Sequence, residues 1–265
     1  MTNCCYNCTI INPKHFIMRK LIFAFLMLPC LTMAQSLIGG NNIIKANLSS
    51  LAFGNYHVTY ERSIAKKLSL SVSYRFMPKT SVPFASSLQD LINNPDVKIT
   101  SMQLGNNAIT PELRIYLGTG KMKGFYIAPY ARFANFDVRV PLAYDNPSIP
   151  GAKKEITFDG TIKSTSAGLM IGMQKQIAKK LVLDIWFIGG HYGSSNGTIN
   201  AINVGTPLNA SEQSALQSEL DNLKNNGGPF KFEGKVNAAG TGAEITSTGP
   251  WAGVRGAMIS LGFRF

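Results

Sequence analysis

Apolar and polar residues alternate with a period of two along most of this chain. The clearest case is Leu68-Ser69-Leu70-Ser71-Val72-Ser73-Tyr74-Arg75-Phe76, which puts Leu68, Leu70, Val72, Tyr74 and Phe76 on one face and Ser69, Ser71, Ser73 and Arg75 on the other. Ile109–Leu117 behaves alike, with Ile109, Leu113, Ile115 and Leu117 opposite Thr110, Glu112, Arg114 and Tyr116. Eight such segments are read, over residues 43–53, 56–64, 67–77, 109–117, 124–137, 156–177, 181–191 and 251–265. Several reach the ~9–11 residues with which a tilted strand crosses a membrane. The pattern predicts an all-β fold, an antiparallel up-and-down transmembrane barrel of eight strands. Ten strands result if Asn196–Val204 and Phe230–Asn237 form an added hairpin rather than extensions.

The connections alternate in length. Ala65-Lys66, Gly118–Lys123 and Ala178-Lys179-Lys180 are short, whereas residues 78–108, 138–155 and 192–250 are long. Bacterial outer-membrane barrels have this asymmetry, with short periplasmic turns and longer outer loops. Gly54-Asn55 is the exception, a tight turn where parity calls for an outer loop. The run Ile-Ala-Lys-Lys-Leu occurs twice, at residues 64–68 and 177–181, both at short turns. Pro111 and Pro129 fall inside predicted strands of a sheet that has no edge, so Pro129 implies a bulge or a later strand start. Within the last long gap, Ser211–Leu223 reads as a short helix with Leu216, Leu220 and Leu223 on one face, stopped by Gly227-Gly228-Pro229. It serves as a partner-contacting feature or lid, or else its leucines pack on neighbouring loops.

The N-terminal region has a different pattern. Met18-Arg19-Lys20, an apolar run from Leu21 to Leu28 and Thr32-Met33-Ala34 form the three parts of a secretory signal peptide. Cleavage is expected after Ala34, with residues 1–17 an upstream extension, leaving 35–265 as a single barrel domain. Cys4, Cys5, Cys8 and Cys30 all precede that cut, so the mature chain has no thiol for a disulfide, a metal or a nucleophile. A lipidated Cys30 is the competing reading, and Pro29 before it fits poorly.

Charged residues make up only 15% of the chain, below the roughly 25% of soluble domains. The net charge is +12, and Lys14, Arg19 and Lys20 leave with the signal, so the mature chain carries +9. The three long loops are nearly balanced, while Lys66, Lys67, Lys121, Lys123, Lys179 and Lys180 crowd the short turns without an acid. Such a ring suits outer-membrane lipid phosphates at a periplasmic rim, with lysine stems lying along apolar surface; solvated turns rich in lysine are the alternative. No basic helix or nucleic-acid motif accompanies the charge, so a nucleic-acid partner is not expected.

Assigning the apolar faces to lipid turns Glu61, Arg75, Glu112, Arg114, Asp184 and Arg264 inward, and Arg132 with them, alongside Tyr126 and Tyr130. Eight strands enclose a lumen that side chains nearly fill. Charges there form an ion-pair network that plugs the barrel or, alternatively, line a narrow ion path. His57 and His191 sit on different strands, no metal-ligand cluster is evident, and no serine occupies a Gly-x-Ser-x-Gly turn. These residues point to no enzyme, no cofactor and no metal.

The chain ends Met258-Ile259-Ser260-Leu261-Gly262-Phe263-Arg264-Phe265, with aromatic residues alternating to the terminus. This strand resembles the signal by which barrel-assembly machinery recognises outer-membrane proteins. Tyr60-Glu61, Lys67-Leu68-Ser69-Leu70 and Pro111-Glu112-Leu113-Arg114, within Lys45–Phe76 and Thr110–Phe136, resemble an uncharacterised family of small outer-membrane barrels with OmpA-like architecture. The resemblance implies fold and an outer-membrane location, and carries no activity. The expected role is structural or surface-interacting, with a surface partner through residues 192–250. A narrow pore or OmpW-like conduit for small molecules is the alternative, and a soluble ligand-binding barrel the third.

Overall fold

A computed structural model describes residues 40–82, 85–86, 99–202, 205–226 and 231–265. The expected signal peptide, the Gly227-Gly228-Pro229 stop and part of the 78–108 connection lie outside the described residues. The strands are β1 (Asn42–Asn47), β2 (Tyr56–Ala65), β3 (Leu68–Ser81), β4 (Gln103–Tyr116), β5 (Gly124–Asp145), β6 (Lys153–Gln176), β7 (Leu181–Ile202), β8 (Lys231–Val236) and β9 (Gly242–Arg264). Helix α1 (Leu48–Ala52) follows β1, and α2 (Ala210–Asn226) precedes β8.

Eight strands form a closed antiparallel ring in the order β1 to β7 and then β9, which pairs back onto β1 with Ile43 opposite Arg264 and Asn47 opposite Ser260. Phe265 and Asn42 complete the seam by exchanging backbone hydrogen bonds of 2.9 and 3.1 Å. Closure leaves no ring edge with unsatisfied backbone groups. β8 lies outside the ring and pairs with the first residues of β9. The ring therefore has eight strands: residues 196–202 extend β7, and 231–236 add a short outrigger.

The walls are unequal. β5, β6, β7 and β9 run for 22, 24, 22 and 23 residues, against 6 for β1 and 10 for β2. Much of what the alternation assigned to long loops, at 138–145, 192–202 and 242–250, is strand standing beyond the apolar belt. The predicted first strand, in turn, is shorter than 43–53. Asn47 accepts from the Ser50 backbone N–H at 2.8 Å and caps α1, diverting the chain out of the ladder. Gly54 then turns with φ of 66°.

The expected bulge at Pro129 does not occur, because β5 pairs with β6 in one unbroken register from Gly124 to Asp145. On its other side, the β4–β5 ladder lapses between Ile109–Phe133 and Glu112–Tyr130, and again before Ile115–Ile127, then resumes in the same register. The two prolines lie in those gaps. An antiparallel residue donates toward one neighbour only, so each lost N–H costs one rung, not the alignment.

The ring is inverted relative to a water-soluble protein. Outward faces carry Ile44 on β1, Val58 on β2, Leu70, Val72 and Phe76 on β3, Ile109 and Ile115 on β4, Phe125 and Phe133 on β5, Leu169 and Ile171 on β6, and Leu261 and Phe263 on β9, all exposed. Inward faces carry Ser69, Ser71, Ser73, Glu61, Glu112, Arg114, Gln174 and Asp184, all buried. The outward run Leu68–Phe76, at about 3.3 Å per residue, covers on the order of 26 Å along its strand, comparable to the apolar band of a membrane barrel.

Candidate functional site: the charged lumen

Near the short-turn end, a dry network crosses the lumen. The Lys45 ammonium donates to Glu61 Oε2 at 2.5 Å, Asp184 Oδ2 at 2.6 Å and Gln174 Oε1 at 2.8 Å, using all three of its protons. Arg114 reaches Asp184 Oδ2 at 2.7 Å and Glu61 Oε2 at 3.3 Å through Nη1, and Glu112 Oε2 through Nη2 and Nε at 2.9 and 3.1 Å. Tyr116 and Ser69 hydroxyls donate to Glu61 Oε1 at 2.6 and 2.5 Å, and the Tyr126 hydroxyl donates to Asp184 Oδ1 at 2.8 Å. Gln174 anchors the layer by donating to the Met122 carbonyl at 2.9 Å.

Lys45, Glu61, Glu112, Arg114 and Asp184 are each no more than 2% exposed. With Arg255, 3.7 Å from Glu112 Oε1, the layer holds three cations and three carboxylates and is formally neutral. Glycine makes the room. A Cβ on Gly172 would lie 2.4 Å from the Tyr126 hydroxyl and 2.8 Å from the Ile185 carbonyl, so only glycine lets that tyrosine lie flat across the lumen. Ile43, Tyr116, Tyr126, Met170, Val182 and Trp186 pack around the charges as one cluster. Neutrality, burial and near-complete hydrogen bonding make this layer a stopper.

The middle of the lumen differs. The Arg255 guanidinium lies 4.7 Å from the Trp186 ring centroid and 4.9 Å from that of Tyr130. Arg132 makes 3.4 Å contacts with Thr110 Oγ1 and Asn106 Oδ1, and Arg75 Nε donates to Asn55 Oδ1 at 3.1 Å. His57 stacks edge-on to Trp186 at 5.4 Å, and Tyr130 hydrogen-bonds His191 at 3.1 Å. Arg75, Arg132, Arg255 and His191 line a cavity of about 390 Å³ with Phe136 and Trp251. Among the described residues, no cluster of His, Cys, Asp or Glu could hold a metal ion.

Of the seven charges expected inside, Glu61, Glu112, Arg114 and Asp184 meet in the stopper. Arg75 and Arg132 lie above it. Arg264 stands at the lower rim and not in the network: it donates to the Gly40 carbonyl at 2.7 Å, to Gln176 Oε1 at 3.1 Å and to the Lys121 carbonyl at 3.3 Å. It keeps inner parity but sits below the last closed layer, where the rim turns offer it carbonyls. Lys45 and Arg255 were missed. Lys45 lies in a short segment between apolar neighbours on both faces, and the apolar Ile43 shares its inward side. Arg255 has the wrong parity relative to Arg264, because Ala257, with φ of 51°, breaks the alternation so that Met258 and Arg255 both turn inward.

Lys66, Lys67, Lys121, Lys123, Lys179 and Lys180 are all exposed at the short-turn end, as a rim of cations. Lys180 lies 5.5 Å from the Phe263 ring and Lys121 donates to Asn41 at 3.3 Å.

At the opposite end, α2 lies on the inner side of the tall wall. Leu208, Leu216 and Leu220 pack with Tyr144, Ile156, Phe158, Ala201, Ala243 and Ile245, whose parity continues the lumen face. The helix opens with a reciprocal cap: the Glu212 N–H donates to Asn209 Oδ1 at 2.9 Å, and the Asn209 N–H to Glu212 Oε2 at 3.0 Å. Lys154 on β6 ion-pairs with Glu212, and its hydrogen bond holds that carboxyl below the usual carboxylate range, with the Asn209 amide assisting. Gln217 brackets β8, accepting from the Val236 N–H and donating to the Gly234 carbonyl, both at 3.0 Å. The leucines thus pack on the wall.

No curated protein matches the chain. A family model described as a protein of unknown function, DUF3575, matches residues 21–218, a span that includes β1 through β7, the lumen stopper except β9, and the first half of α2. The chain belongs to the DUF3575 family.

Proposed function

We propose that this protein is an integral outer-membrane barrel whose lumen is sealed and whose role is structural or surface-interacting, exercised through the tall wall and its helix. The single observation that carries the reading is the inversion of the ring, with apolar side chains outward on every strand of the lower half and charges buried within. Contiguous apolar patches beyond a few hundred Å² are rare on water-soluble monomers, and a soluble barrel would carry its apolar face inside. The tall strands at one end and the short turns with their lysine rim at the other support an orientation with the short turns in the periplasm. β9, which closes the ring on β1 and carries the outward Leu261 and Phe263, is the strand the barrel-assembly machinery would engage.

The stopper favours a sealed lumen over a pore or a conduit. A charge network with each member no more than 2% exposed leaves no continuous water path along Lys45, Glu61, Arg114 and Asp184. Alkaline carbonate washing of membranes tests the location. The protein stays with the membrane pellet and migrates differently on a gel before and after boiling. Release into the wash without a heat-dependent shift contradicts an integral barrel.

A further inference from the structure

The middle of the lumen holds two cations, Arg75 and Arg132, that no carboxylate among the described residues neutralises, beside Arg255, which completes the charge balance of the stopper. Three guanidiniums, Arg75, Arg132 and Arg255, line one cavity, and Arg132 is close enough to feel the charge of both others. Among the described residues, no carboxylate lines that cavity. The nearest acid is Glu112, 3.7 Å from Arg255 and already bound twice by Arg114. Arg75 and Arg132 have only amide and hydroxyl partners, at 3.1–3.4 Å. Like charges held together in a partly desolvated site repel, and neighbouring arginine forks match the paired oxygens of a carboxylate or phosphate.

A second observation lies beside the cavity, between it and the stopper. Arg255 is 7% exposed, and its Nη1, 3.7 Å from Glu112 Oε1, makes no hydrogen bond. The buried His57 Nδ1 and Trp186 Nε1 beside it make none either. Buried polar atoms of this kind nearly always have a partner. The cavity wall also carries an apolar side, where Phe136 and Trp251 pack at 4.7 Å between centroids. At about 390 Å³ the space lies within the range of small-molecule pockets.

We propose that this cavity is a binding site for a small organic anion, its oxyanion head held by Arg75, Arg132 and Arg255 and its apolar body against Phe136 and Trp251. The proposal goes beyond the envelope reading. It depends on the closed ring and not on where the ring resides, so failure of the membrane location leaves it standing.

The chain has two tryptophans, Trp251 in the cavity wall and Trp186 against Arg255, so intrinsic fluorescence reports occupancy. The test titrates phenyl phosphate, inorganic phosphate and phenol into the protein refolded in a non-ionic detergent. Phenyl phosphate gives a saturable change that weakens with salt, inorganic phosphate binds more weakly, and phenol gives none. Arg75→Gln and Arg132→Gln each lower phenyl phosphate affinity by about tenfold or more, the loss of a charge-assisted contact. Their unfolding midpoints without ligand are no lower than wild type, because each removes one of three mutually repelling charges. No saturable response overturns the site, as does phenol matching phenyl phosphate. Inorganic phosphate binding as tightly as phenyl phosphate overturns the apolar subsite. Variants that keep their affinity but melt lower assign the arginines a structural role and overturn the proposal.

Discussion

Replacing Lys45 by methionine isolates the electrostatic part of the stopper, since the two side chains have similar length and the substitution removes only the ammonium. Lys45 supplies three hydrogen bonds of 2.5–2.8 Å, to Glu61, Asp184 and Gln174. In its absence Glu61 and Asp184 share Arg114 as their cation, and the layer goes from neutral to one net negative charge. Removing one partner of a buried ion pair costs about 3–5 kcal/mol, because the remaining charge stays desolvated. Lys45→Met is therefore expected to lower the unfolding free energy by about that amount, measured by urea titration of refolded protein in lipid vesicles with tryptophan fluorescence. The double variant Lys45→Met/Glu61→Gln restores neutrality, so its loss is smaller than the sum of the two single losses by about 0.5–3 kcal/mol. A loss below ~1 kcal/mol for the single variant, the level of a solvated surface pair, would refute the dry, neutral stopper. So would strict additivity in the double variant.

Other consequences follow from the same packing. Gly172→Ala drives a methyl into the Tyr126 hydroxyl and is expected to cost about 1–3 kcal/mol by overpacking; an unchanged urea midpoint contradicts that geometry. Phe133→Lys places a charge on the outward belt. It should destabilise the barrel in vesicles by up to about 2–4 kcal/mol, with a much smaller effect if that face meets water. Glu212 is held below the usual carboxylate range by Lys154, so its contribution to seating α2 is fully present above the unfolded-state pKa. That contribution is lost as pH falls through the lower folded value. Hydrogen exchange across 210–226 is expected to quicken on acidification below about pH 4, and to do so less in Lys154→Gln. Asp159, depressed first by its hydrogen bond to Lys79 and then by Arg139, gives the same sign at the tall wall. Its partial exposure makes that effect salt-sensitive.

The ring was legible because its lower half obeys a strict period of two: Leu68 to Phe76 fixes β3, its inner face and the inward Arg75. Four of the seven expected lumen charges meet in the stopper for the same reason. What parity could not convey lies where the chain departs from strict alternation. Ala257 resets the phase of β9 and conceals Arg255, and Asn47 ends β1 early through a local cap. The tall wall stands beyond the apolar belt, where outward positions such as Thr161 and Lys163 are polar and the alternation of apolar with polar side chains lapses. Its cohesion comes from long-range contacts, Phe158 and Tyr144 meeting Leu216 and Leu220, which a local pattern does not encode. The helix itself is legible through its leucine spacing, whereas its reciprocal Asn209–Glu212 cap emerges only in the structure.

The central claim is a membrane-embedded ring closed by its own charges. Conductance of residues 35–265, refolded into a planar lipid bilayer and verified as folded by heat-dependent gel migration, tests it most directly. A bilayer that stays silent across the voltage range, while Lys45→Met opens intermittent conductance, is the predicted result. Steady, salt-dependent current steps from the wild-type protein, altered when Glu112 or Arg114 is neutralised, would contradict the sealed lumen and make those charges the lining of a pore.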